Sequence, residues 1–182
     1  MNENHDQPLQ FHNSFDKLLD DFRNIIASVT WLKVSTRQAE DFYKNFPYII
    51  ELPSSLSEKK IKVEKSILKL IERDSRYSST LINFYRIFTI AIKDIIWEEA
   101  DFESYLQNEI FQFLRHLRNA CAHNNQFYWG RGNQRASTVQ KLPISWRGKI
   151  IEESIEGSNL YMDFMKPGDI FMLLSDISAV LR

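Results

Sequence analysis

Tyr77-Ser-Ser-Thr-Leu-Ile-Asn-Phe-Tyr-Arg-Ile-Phe-Thr-Ile-Ala-Ile-Lys-Asp-Ile-Ile-Trp-Glu-Glu99 decides the fold class. Its β-branched content favours a strand. Yet twenty-odd residues pass without a turn signal, which is long for any strand and ordinary for a helix. The stretch reads as the central, most buried helix of the chain.

Breaker residues extend that reading outward. All five glycines fall after position 129, and no proline occurs between Pro53 and Pro143. The first 129 residues therefore read as helical and the tail as more irregular. Upstream, Ser14 is placed to cap a helix whose apolar positions Phe15, Leu18, Leu19, Phe22, Ile25, Ile26 and Val29 follow helical spacing. A short helix is expected after Thr36, ending near Phe46-Pro47. Pro53 to Ser57 reads as a loop, and Glu58 to about Arg73 as a helix. Downstream, a helix is expected from Phe102 to about Asn124. Asn124 to Gly168 reads as loops with a small hairpin, Lys149-Ile-Ile-Glu and Leu160-Tyr-Met-Asp flanking Glu156-Gly-Ser158. Lys166-Pro-Gly-Asp169 opens a final helix through Leu181. The expected architecture is all-α: one helical-bundle domain over 1–182, with a flexible start (1–12) and a loop-rich segment (125–167) before the last helix.

Composition sets outer bounds. At 182 residues, 43% hydrophobic and 13% aromatic, the chain can bury a core and is not intrinsically disordered. One cysteine excludes an internal disulfide and any cysteine-only zinc site, so a reducing, cytoplasmic location is expected. The first eight residues lack the blocks of a signal peptide, and no apolar run reaches the roughly 20 residues of a membrane helix.

The chemistry concentrates in Phe113-Leu-Arg-His-Leu-Arg-Asn-Ala-Cys-Ala-His-Asn-Asn125. At helical spacing Ile110, Phe113, Leu114, Leu117, Ala120 and Cys121 share one face. Arg115, Arg118, Asn119, Ala122 and His123 share an opposite arc of roughly 140°. Arg118 and His123 lie about 7.5 Å apart along the axis, a span suited to gripping one phosphodiester. An imidazole near neutrality can take the proton of a ribose 2′-hydroxyl or protonate a leaving 5′-oxygen. An arginine fork can hold phosphate oxygens and the charge that grows on them. Asn119 is placed to orient the imidazole or bind a phosphate oxygen. A plainer account also fits: His123 complementing the helix dipole, with Asn124 as left-handed cap. His116 and His123 stand about 10.5 Å apart along the axis, too far to share a metal. The aromatic group Phe127-Tyr-Trp129 suits either base stacking or anchoring of the loop.

Leu117-Arg-Asn-Ala-Cys-Ala-His123 resembles the signature of the HEPN superfamily, an arginine followed after four to six residues by a histidine, commonly with a polar residue after the arginine. The tail from Trp146 to Asp176 looks like the end of abortive-infection-type HEPN proteins. The resemblance spans roughly residues 77–182. It implies a metal-independent endoribonuclease without cofactors, in which two motifs of a homodimer form one cleft and cut RNA to a 2′,3′-cyclic phosphate. It also implies a toxin or phage-defence role, and admits an antitoxin or defence-system partner. Carried onto this chain, Arg118 and His123 are the catalytic pair and Asn119 the polar motif residue. Arg115, Asn124, Trp129 and Arg131 are expected to contact substrate. The alternative is an inactive module that dimerises and binds RNA or a protein through the same face.

Charge agrees with a local anion site. The formal total is −1, yet residues 110–149 hold seven basic side chains and no acid. The segment is +7 and the remainder −8. An RNA partner is expected on that segment.

Overall fold

The computed structural model describes residues 9–36, 50–52, 61–63, 74–99, 107–139 and 141–181, and these are mostly helical. The chain divides into two compact units, Met1–Asp21 with Phe84–Arg182 and Phe22–Asn83. No described helix is long and apolar enough to cross a membrane.

Helix α1 runs Asp16–Thr36, after a 3₁₀ turn at Asn13–Phe15. The cap is His12 rather than Ser14: its ring accepts from the Ser14 amide at 3.4 Å. Phe15 and Leu19 are buried. Within Phe22–Asn83, strands β1 (Ile50–Leu52) and β2 (Ile61–Val63) pair antiparallel, Ile50 opposite Val63. This corrects, at residues 61–63, the helix expected over 58–73; the rest of that span lies outside the described residues. Ile61-Lys-Val63 alternates apolar and polar in the strand period and has a matching partner in Ile50-Glu-Leu52. The helix expected after Thr36 and the loop at Pro53–Ser57 lie outside the described residues.

Helix α2 occupies Asp74–Glu99 and α5 Asp169–Val180, close to expectation. In the larger unit, Phe88, Ile92 and Ile96 form a buried stripe at four-residue spacing on α2. Ile170, Leu173, Leu174 and Ile177 form one on α5 at three- and four-residue spacing. Helix α3 spans Glu109–Ala122, its start set by the Asn108 side chain, which accepts from Ile110 N–H at 3.0 Å; residues 102–106 of the helix expected from Phe102 lie outside the described residues. A further helix, α4 (Gly132–Val139), lies where only loop was expected.

The hairpin is real but differently paired. β3 (Ile144–Trp146) meets β4 (Lys149–Ile151) across Arg147-Gly148, both with positive φ (45° and 79°). Those angles match the right-handed twist of tightly joined strands, and glycine adopts its share without Cβ strain. The Gly157 turn instead faces the loop after α3: Gly157 N–H donates to Phe127 O at 2.8 Å, and Phe127 N–H to Ser158 O at 3.0 Å. β3 packs on α3, with Trp146 and Phe113 ring centroids 5.7 Å apart. Asp176 ties the hairpin to α5, accepting from Trp146 Nε1 at 2.8 Å and from Arg147 Nε and Nη2 at 2.7 and 2.8 Å.

Candidate active site

Helix α3 presents the expected division of faces. Phe113, Leu114, Leu117, Ala120 and Cys121 are buried, whereas Arg115, Arg118 and Asn119 are half-buried and Ala122 and His123 exposed. The buried arc is wider than expected and takes in Phe111, Gln112 and His116.

The end of α3 is fixed by contacts that sequence inspection did not single out. Arg86 of α2 donates to the Cys121 carbonyl through Nε (2.9 Å) and Nη2 (2.7 Å). A cation at this terminus satisfies an orphan carbonyl and opposes the negative pole of the helix. His123 is the C-cap, its N–H donating to Asn119 O at 2.9 Å. Asn124 and Asn125 then both take left-handed φ, 57° and 69°, a conformation asparagine tolerates better than most residues. Asn125 is the anchor of this turn. Its Oδ1 accepts from Tyr161 N–H and its Nδ2 donates to Tyr161 O, each at 3.0 Å, while its carbonyl accepts from Leu160 N–H at 2.7 Å. The Tyr161 hydroxyl in turn is hydrogen-bonded to Thr89 of α2.

Arg118 carries an anomaly. Its Nε is buried without a hydrogen-bond partner among the described residues. A buried unsatisfied donor costs about 1–3 kcal/mol, so it is a place where an acceptor is missing. Four of the seven basic residues of the 110–149 segment, Arg115, Arg118, Arg131 and Lys141, have no carboxylate partner among the described residues. The other three are neutralised: Arg135 by Glu153 and Glu156, Arg147 by Asp176, and Lys149 by Asp169. The uncompensated charge is thus concentrated on α3 and the loops beside it. Arg115 does donate to Gln112 Oε1, at 3.4 Å. Arg131 and Asn124 are exposed, and Asn124 has no side-chain hydrogen bond among the described residues.

The aromatic expectation needs correcting. Trp129 is only 2% exposed, donates Nε1–H to Glu153 O at 3.1 Å and packs 5.7 Å from Phe127, so it has no free face for a base. Tyr128 is the exposed member of the trio, its ring centroid 4.9 Å from that of His123. Successive side chains of an extended segment alternate sides. That rule, applied to 127–129, would have selected Tyr128.

No family model, curated protein or solved structure matches the chain. His116, unlike His123, is buried edge-on against Trp129 (5.8 Å), with neither ring nitrogen partnered among the described residues. Burial, helped by the charges of Arg115 and Lys141, lowers its pKa to about 4. It is a neutral core residue. Cys121 is likewise buried, which pushes its thiol up to about 12 and makes it a poor nucleophile.

Proposed function

We propose that the chain is a metal-independent endoribonuclease of HEPN type, acting as a homodimer and serving as a toxin or phage-defence effector. The observation that carries this reading is an exposed His123, the C-cap of α3, five residues after a half-buried Arg118 that has no carboxylate partner among the described residues. A phosphate is an anion that such a guanidinium can hold.

In the proposed reaction His123 of one protomer takes the proton of the ribose 2′-hydroxyl. The 2′-oxygen forms a bond to phosphorus, and the bond from phosphorus to the 5′-oxygen breaks. His123 of the second protomer, protonated, gives its proton to that oxygen. The products are a 2′,3′-cyclic phosphate and a 5′-hydroxyl. Arg118 holds the phosphate oxygens as charge accumulates, and Asn119 supports the imidazole or the phosphate. Arg115, Arg131 and Lys141 supply the surrounding positive field.

The test is incubation of purified protein with single-stranded RNA in chelator, followed by analysis of the RNA ends. Cyclic phosphate ends support the reading. RNA bound and left intact supports the alternative, a non-catalytic RNA-binding module.

A further inference from the structure

The loop after α3 holds one aromatic ring in a position that the catalytic pair does not use. Phe127 and Trp129 are 1% and 2% exposed, whereas Tyr128 between them is 37% exposed. Both neighbours are pinned: Phe127 through backbone bonds with Gly157 and Ser158, Trp129 through its amide to Glu156 Oε1 (3.3 Å) and its indole to Glu153 O. The phenol ring is thus presented from a fixed backbone and sits 4.9 Å from the His123 ring, tilted by 59°. A platform held in place in advance loses little freedom when a ligand lands on it. Exposed Arg131 follows three residues later.

We propose that Tyr128 is a stacking platform for an unpaired nucleobase beside the scissile phosphate, which makes single-stranded RNA the substrate class. Bases within a duplex already stack on one another and offer no free face, whereas a splayed base does. The inference rests on the ribonuclease reading for its location, yet it concerns binding and can be tested apart from cleavage.

The probe is a 2′-O-methylated RNA, which cannot be cut because its 2′-oxygen has no proton to lose. Its affinity is measured by fluorescence anisotropy, as single strand and as duplex, for the wild type, Tyr128→Ala and Tyr128→Phe, with the mass of each protein checked by sedimentation. Base stacking on an aromatic ring is worth about 1–3 kcal/mol. Tyr128→Ala is therefore expected to weaken single-strand binding about tenfold while leaving duplex binding unchanged, and Tyr128→Phe to restore it. Undiminished single-strand affinity in Tyr128→Ala, an equal loss on duplex, or a loss explained by a lower oligomeric mass would overturn the platform. Tyr128-dependent binding without cleavage of unmodified RNA would uphold the platform and defeat the ribonuclease reading. No RNA binding by the wild type would defeat both.

Discussion

Asn125 grips the backbone of Tyr161 from both sides, accepting from its N–H and donating to its carbonyl at 3.0 Å each. This side chain joins the turn that ends the motif helix to the tail 36 residues later, and so fixes where the chain leaves His123. The grip imitates one rung of a β-ladder, which explains how an irregular tail can be held firmly without forming a sheet.

Asn125→Ala removes both bonds and leaves a Cβ-bearing residue at φ 69° without local hydrogen bonding to support it. Two net hydrogen bonds and the left-handed penalty together give an expected loss of about 2–4 kcal/mol. Urea unfolding checks this. Asn125→Gly should recover the conformational part only, and a loss below about 0.5 kcal/mol for Asn125→Ala would contradict the clamp.

Arg86→Ala should destabilise the chain by about 1.5–3 kcal/mol, the range for hydrogen bonds to charged groups. Arg86→Lys should recover only part, because an ammonium cannot reproduce the two-pronged grip on the Cys121 carbonyl. Thermal unfolding of the two variants side by side distinguishes the outcomes.

His116 gives a pH signature. Its folded pKa is depressed to about 4, below the value of about 6.5 expected when unfolded. The unfolded chain therefore binds its proton first. The contribution is full above pH 6.5 and is lost as pH falls towards 4, by about 3 kcal/mol in all. His116→Phe should flatten the difference in urea midpoint between pH 7 and pH 4.5 relative to wild type. Parallel pH curves for the two proteins would refute a buried neutral imidazole.

Trp129 and Tyr128 should separate folding from recognition. Trp129→Ala empties a fully packed site and is expected to cost about 3–5 kcal/mol. Tyr128→Ala, at a half-open surface, should leave the unfolding midpoint nearly unchanged. Equal destabilisation by both would contradict their opposite orientations.

Long elements were legible in the sequence because periodicity over many turns leaves one solution. Tyr77–Glu99 and Asp169–Leu181 carry their own hydrophobic stripes, and the burial of α3 follows the wheel. Short elements were not, since a distant partner decides them. Ile61-Lys-Val63 is a strand because Ile50–Leu52 lies opposite. The Gly157 turn reads from sequence as the hairpin, but its backbone is engaged by Phe127, and the strands pair across Arg147-Gly148 instead. The motif residues Arg118, Asn119 and His123 were visible by type and spacing. Arg86 and Asn125 were not, because their roles exist only once Cys121 and Tyr161 are brought beside them. Trp129 was misassigned because composition marks an aromatic residue without saying which way it faces.

In the proposed reaction His123 performs the acid–base chemistry on RNA. The most direct measurement compares the wild type and His123→Ala on single-stranded RNA in chelator, scoring 2′,3′-cyclic phosphate ends, with unfolding and sedimentation as controls. Cyclic phosphate ends are expected from the wild type and none from a folded, dimeric His123→Ala. Undiminished cleavage by His123→Ala would contradict that role.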